Sequence, residues 1–361
     1  MDGMDFQARQ KKLHVALERH KVDTLIVSHP PNVRYLSGFT GSAGILLAGR
    51  RSLFFTDGRY AEQARAQVKG ARVVIAKGGL LAAVAEACAK QEAQRVAIES
   101  EHFTVAQLAA FEKALGKGRR VARLAGVVEE LRTIKDAAEI ELVRNAVKLA
   151  SGLFRPLLRA MQPGTSEINV AAKLEYAARR AGAEGMSFET IVASGERSAL
   201  PHGVASRALL PESGFVVLDY GVVLDGYCSD MTRTVHLGKA DADERGLYDA
   251  VLEAQLAAIS AVRPGATAGE VDGEARRVLK RVRLLRYFTH STGHGVGLEI
   301  HEQPRLAAGV DTVLEPGMVI TIEPGIYLPG RCGIRIEDML LVTETGYEVL
   351  TPVGKELVEL Y

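Results

Sequence analysis

Apolar runs alternate with amphipathic stretches along the first third of the chain. Residues 5–21 carry apolar positions at helical spacing and predict a helix, and the run TLIVS at 24–28 predicts a strand. A turn and strand follow in LSGFTGSAGILLAG, and a further strand in SLFFTD, Ser52 to Asp57. The pattern continues as a helix from Arg59 in RYAEQARAQV, a strand in RVVIA, a helix through Ala82–Lys90, a strand in RVAIES and a helix over Val105–Leu115. Strands alternating with helices predict a mixed α/β layer fold. After the basic, glycine-containing segment GKGRRVARLAG, the stretch LRTIKDAAEIELVRNAVKLASGLF repeats apolar residues at helical spacing with Lys and Glu on the other face. This predicts a long helix opening a second domain. We expect an N-terminal α/β domain over residues 1–125 and a second, α+β domain over 126–361.

The second domain carries an internal repeat. MQPGTSEINVAAKLEYAARRAG, from Met161, is similar to VRPGATAGEVDGEARRVLKRV, from Val262, about 100 residues later. In each, Pro-Gly leads into Ser or Thr and then a helical pattern, a loop-to-helix signal. Each copy precedes β-rich sequence, so a pseudo-two-fold domain with a site between its halves is expected.

Each β-rich stretch carries two acids. In FVVLDYGVVLDGYCSDMTRTVHLG, Phe215 to Gly238, the pair Asp225-Gly226 marks a hairpin turn. A turn there puts Asp219 and Asp230 on opposite strands and one face, directly or diagonally opposed. Like charges so placed destabilise a sheet and call for a cation. Arg233 is one candidate, which would make the hairpin merely salt-bridged. In MVITIEPGIYLPGRCGIRIEDMLLVT, Met318 to Thr343, one strand ends at Glu323, and the strand GIRIEDMLLVT carries Arg335 and Glu337 on one face by alternation.

Between these lies HSTGHGVGLEIH, with three of the nine histidines in twelve residues. His290 and His294 have the i, i+4 spacing of a helical zinc site. Gly293, Gly295 and Gly297 argue against a helix, at roughly 1 kcal/mol each relative to alanine. An extended or looped backbone approaching something closely is expected instead. Four carboxylates (Asp219, Asp230, Glu323, Glu337) and at least one of His290, His294 and His301 are too many for a tetrahedral structural zinc. They suit two divalent ions, whose charge removes the repulsion among the acids. Oxygen-rich ligands favour Mn²⁺ and also accept Co²⁺ or Zn²⁺. Such ions lower the pKa of bound water and polarise a carbonyl, so hydrolysis is the expected chemistry.

Composition narrows the context. The chain has 361 residues, 47% hydrophobic and 25% charged, with 45 basic and 44 acidic side chains. A net charge of +1 gives no field for steering nucleic acid or an anionic membrane. No apolar run approaches the ~20 residues that span a bilayer. The charged, amphipathic start does not read as a signal peptide. Cys88, Cys228 and Cys332 form neither a disulfide framework nor a CxxC pair, which makes a reducing cytoplasm the expected location.

The ordered set LDYG…YCSDMTRT, HSTGHGVGLEIHE, TIEPGIY and GIRIED resembles that of the pita-bread metallopeptidases: methionine aminopeptidase, aminopeptidase P and prolidase. PNVRYLSGFTGS and FFTDGRYAEQA resemble the creatinase/prolidase N-terminal domain, so the resemblance covers nearly the whole chain. It implies that the second domain is a pita-bread domain. Asp219 would bind one ion, Asp230 and Glu337 would bridge both, and His294 and Glu323 would complete the other. His202 (in PHGVAS) and His301 would flank the substrate, and His290 would line the pocket for the residue after the scissile bond. Tyr327 would be a site tyrosine and Arg335 an arginine supporting the ligands. His290 and the N-terminal domain point to prolidase or aminopeptidase P rather than methionine aminopeptidase. The expected activity is hydrolysis of Xaa-Pro bonds in dipeptides, or alternatively in longer peptides. Glu323 would shuttle the proton and His301 would stabilise the oxyanion. A non-catalytic binding module is disfavoured by the full ligand set. The resemblance also implies a homodimer, or alternatively a tetramer.

Overall fold

The apolar runs of the N-terminal third become one six-stranded sheet in the computed structural model, which describes residues 3–116 and 118–361. Met1, Asp2 and Lys117 lie outside the described residues. In spatial order the strands are Arg72–Ile75, Leu53–Thr56, Gly44–Gly49, Thr24–Val27, Arg95–Glu99 and Arg120–Leu124. Helices Phe6–Arg19, Leu80–Lys90 and Val105–Leu115 form where the 3.6-residue period predicts them. Two elements escape the sequence reading. PPNVRYLS is a helix, Pro30–Ser37, whose opening prolines have the fixed φ a first turn needs. The basic stretch after Gly118 supplies the strand Arg120–Leu124 at the sheet edge, with Arg120 and Arg123 exposed.

The long helix expected from Leu131 onward is interrupted. Helix Val127–Thr133 is followed by extended residues and then by helix Ala137–Ala160. Ile134 pairs with Met318, and Lys135 N–H donates to Gly317 O at 2.9 Å. Asp136 then restarts the helix through a capping box: its carboxylate accepts from Glu139 N–H at 2.9 Å, and Glu139 accepts from Asp136 N–H at 3.1 Å. The chain divides into two compact units between Arg132 and Thr133.

The second unit is built twice. Helices Ala137–Ala160 and Glu167–Arg180 form one pair, and Ala242–Ala261 and Ala268–Arg281 the other. Strands Ile191–Ser194, Gly214–Tyr220 and Met231–Leu237 lie side by side, as do Gly293–Gly295, Val319–Ile322 and Asp338–Val342. The match extends to single hydrogen bonds. Gly164 N–H donates to Leu210 O at 2.9 Å, and Gly265 N–H to Leu314 O at 3.0 Å. Leu210 N–H donates to Thr165 O and Leu314 N–H to Ala266 O, both at 2.8 Å. Each half has its own apolar core: Leu153, Val170, Leu174, Val216 and Leu218 in the first; Val251, Val271, Leu279, Ile320 and Leu340 in the second. Burying such side chains contributes about 1.5–3 kcal/mol each, which offsets the cost of a cluster of acids between the halves.

Candidate metal centre

The first hairpin turns at Asp225-Gly226, where φ is +49° and +79°. Positive φ at both central residues is the signature of a type I′ turn. Asp219 pairs with Thr232, so Asp230 stands diagonally across from Asp219. Gly221 lets the chain pass there: a Cβ on it would lie 1.7 Å from Ser229 O. Arg233 points away from both acids. Its guanidinium donates to Asp338 Oδ1 at 2.7 Å and to the carbonyls of Glu337, Val353 and Gly354. Arg233 is therefore not the cation that pairs with these acids.

The second hairpin departs from expectation. GIRIEDMLLVT is two strands in different sheets, Cys332–Arg335 and Asp338–Val342. The break is forced opposite Pro324, which has no N–H to continue the ladder. Ile336 N–H still reaches Pro324 O at 3.5 Å, and Glu337 N–H crosses to Thr232 O of the other half at 3.1 Å. This detour joins the two halves: Thr232 Oγ1 donates to Glu337 Oε2 at 2.7 Å.

His294 sits on the short strand Gly293–Gly295, extended as its glycines predicted. Cβ atoms on Gly293 and Gly295 would lie 1.9 Å from Thr321 O and 2.1 Å from Gln303 O, and one on Gly297 would lie 2.6 Å from the Glu302 carboxylate. Gly293→Ala is expected to part the strands carrying His294 and Glu323 and to cost about 1–3 kcal/mol of stability. Urea unfolding checks this, and an unchanged midpoint would show that the close approach is dispensable.

These elements bring Asp230, His294 and Glu337 together, with ligand atoms all within 4.8 Å of one another. His294 Nε2 lies 3.6 Å from Asp230 Oδ2 and 3.5 Å from Glu323 Oε1. Its Nδ1 is 2.9 Å from Gly295 O, which assigns the ring proton to Nδ1 and turns the Nε2 lone pair towards the acids. Lone pair then faces carboxylate with nothing positive between. Asp219 is tied in by Arg335, whose Nη2 donates to Asp219 Oδ2 at 2.5 Å, Nη1 to Tyr327 Oη at 2.5 Å and Nε to Thr232 Oγ1 at 3.1 Å.

One arginine cannot neutralise four acids. Burial, and after it the neighbouring carboxylates, push Asp230 and Glu337 well above the usual carboxylate range. Burial drives Glu323 up to about 8. Asp219 Oδ1 and Asp230 Oδ1 are buried with no hydrogen-bond partner. Orphaned anionic oxygens beside an unprotonated imidazole nitrogen are the donor set that divalent cations require. The residues fit a metal.

The substrate-side candidates surround this group. The His301 ring lies 4.4 Å from that of His294, and His290 Nε2 is 2.9 Å from Tyr327 Oη. Burial lowers His290 and His294 to about 4 and His301 below its usual value, keeping the imidazoles neutral near pH 7. His202 is exposed and lies near enough to interact electrostatically with both His290 and His301. Sequence reasoning missed Thr232 and Thr321. Each stands two residues from an acid on the same face, a period-2 signal that was available. Thr321 Oγ1 accepts from His294 N–H at 3.1 Å and lies 3.4 Å from Glu323 Oε1.

Comparison with known proteins agrees with this architecture. Residues 141–344 match the model of metallopeptidase family M24, and residues 9–134 that of the creatinase/prolidase N-terminal domain. A Xaa-Pro dipeptidase of Pyrococcus furiosus is 38% identical over 351 residues, 97% of this chain and 99% of that protein. A solved Xaa-Pro dipeptidase from Bacillus anthracis superposes with a TM-score of 0.96 at 41% identity, over 99% of this chain and 100% of that one. An X-Pro aminopeptidase from Thermotoga maritima gives 0.91 at 34% identity, over 98% and 100%. The protein is therefore a member of metallopeptidase family M24, an enzyme of pita-bread fold that works with divalent metal ions and carries a creatinase/prolidase N-terminal domain.

Proposed function

We propose that this enzyme is a Xaa-Pro dipeptidase, hydrolysing the bond before proline in dipeptides. The observation that carries the reading is the grouping of Asp230, His294 and Glu337, with Asp219 and Glu323 beside them and two orphaned oxygens, in a chain 38% identical to a Xaa-Pro dipeptidase along nearly its whole length. Asp219, Asp230, His294, Glu323 and Glu337 would hold two divalent ions, Mn²⁺ by the preference of oxygen-rich ligands, with Co²⁺ or Zn²⁺ as substitutes. When bound, the ions lower the pKa of water towards ~7 and polarise the scissile carbonyl.

The chain's own residues do the rest. Glu323 accepts a proton from the attacking water and delivers it to the proline nitrogen as the C–N bond breaks. His301 and His202 face the substrate and donate hydrogen bonds to the oxyanion and the peptide carbonyl. His290, packed edge-on against Phe288 at 5.1 Å and bonded to Tyr327, forms an apolar wall suited to a proline ring. Arg335 holds Asp219 and Tyr327 in place. We further propose a cytoplasmic homodimer. The described residues contain no helix long and apolar enough to cross a membrane and no disulfide, and Cys88, Cys228 and Cys332 are all buried.

The likeness to the Thermotoga aminopeptidase supports a second reading, release of the first residue from longer Xaa-Pro peptides. Manganese-loaded protein should cleave an Xaa-Pro dipeptide with kcat/KM at least about tenfold above that for Xaa-Pro-Yaa, a preference of roughly 1.4 kcal/mol. Comparable rates on tripeptides and longer chains would select the aminopeptidase reading, and no hydrolysis of either would reject both.

A further inference from the structure

We propose that Glu167 is a positioning residue, clamping closed the loop that presents His202. This rests on the assignment of His202 to the substrate side of the site. Glu167 is the first residue of helix Glu167–Arg180, and none of its surface is exposed. Its carboxylate gathers both ends of one loop. Oε1 accepts from Ser194 N–H at 2.9 Å and Ser194 Oγ at 2.8 Å. Oε2 accepts from Ser206 N–H at 3.1 Å and Ser206 Oγ at 2.8 Å, and pairs with Arg197 from within the loop. Ser194 ends a strand and Ser206 lies past His202, so one side chain ties the neck through which the loop leaves and returns.

The tip of the loop is anchored to the metal centre's supports. Arg335 Nη1 donates to Pro201 O at 3.1 Å, next to His202, and Gly333 N–H donates to Ser198 Oγ at 2.7 Å. His202 is itself exposed, so polar ties rather than packing of its own side chain hold it in place. The repeat supplies an internal control. In the second half the corresponding helix begins with Ala268, whose N–H donates to Thr312 O at 2.9 Å just as Glu167 N–H donates to Ala208 O at 2.9 Å. The helix start therefore does not need an acid. Glu167 belongs to the half that carries the His202 loop.

In Glu167→Gln the side-chain amide turns N–H donors towards Ser206 or Ser194, and one half of the neck opens. The test pairs hydrogen exchange with a double-mutant cycle. Amides of residues 198–206 should exchange at least about tenfold faster in Glu167→Gln, while those of 289–303 stay as in the unmodified enzyme. Bound manganese per chain should be unchanged. kcat/KM on an Xaa-Pro dipeptide should fall about 10–100-fold, but by less than about twofold when His202 is already alanine. Ser206→Ala, which removes one hydroxyl tie to Glu167 together with the acceptor of Ala208 N–H, should show the same pattern in smaller measure if Glu167→Gln folds poorly. Unchanged exchange in the loop, or an undiminished effect on top of His202→Ala, would overturn the proposal. Absence of Xaa-Pro hydrolysis in the unmodified enzyme would defeat the functional reading alone, since the exchange measurement still decides the clamp.

Discussion

Replacing Asp230 with asparagine is expected to abolish metal binding and turnover together. Asp230 is 5% exposed, lies 3.6 Å from His294 Nε2, and has one oxygen with no partner. An amide nitrogen in either oxygen position aims two donors where a cation would sit. Turnover should fall by about 10³-fold or more, and elemental analysis after dialysis against Mn²⁺ should show a loss of bound metal. The metal-free protein should gain stability from the same change, because one charge leaves a buried acid cluster. A chelator should lower the Tm of the unmodified protein by several degrees and leave Asp230→Asn almost unmoved, since only a binding-competent chain loses stabilisation when the ion goes. An Asp230→Asn protein with full metal content and an unchanged rate would remove Asp230 from the ligand set.

Arg335→Met carries the second large effect, and its size should depend on metal. Arg335 is 3% exposed and, among the described residues, is the cation whose side chain pairs with a carboxylate of the acid cluster, Asp219 at 2.5 Å. Removing one partner of a buried ion pair costs about 3–5 kcal/mol, because the other charge is left uncompensated. In metal-free protein that full cost should appear in urea unfolding. With Mn²⁺ bound, the ions compensate Asp219 and the cost should shrink by more than half. Activity should still fall, since Tyr327 and Pro201 O lose their hydrogen-bond donor. An equal loss of stability with and without metal would show that Asp219 does not share its charge with an ion.

Much of this site was legible in the sequence because its geometry follows from local rules. Alternation puts Asp219 and Asp230 on one face once the Asp225-Gly226 turn is recognised, and the structure selects the diagonal of the two pairings left open. The glycines around His294 announced extended backbone in close contact, and Thr321 O and Gln303 O are what they approach. What escaped was non-local. Arg233 stood beside the acids in sequence, yet it faces Asp338, a partner set by the packing of one half against the other. Pro324 breaks a run that alternation alone carries through Ile336 and Glu337. The helix Pro30–Ser37 is too short for its period to stand out, and the strand Arg120–Leu124 is disguised by arginines that an edge position leaves exposed. Glu167 looked like an ordinary residue at a helix start. Only the convergence of Ser194, Arg197 and Ser206 on it shows otherwise.

Anomalous diffraction at the manganese edge, from crystals soaked in Mn²⁺, tests the central claim most directly. Two peaks should appear, coordinated among them by Asp219, Asp230, His294, Glu323 and Glu337. A map with no peak among those five side chains, at a Mn²⁺ concentration that supports hydrolysis, would contradict it.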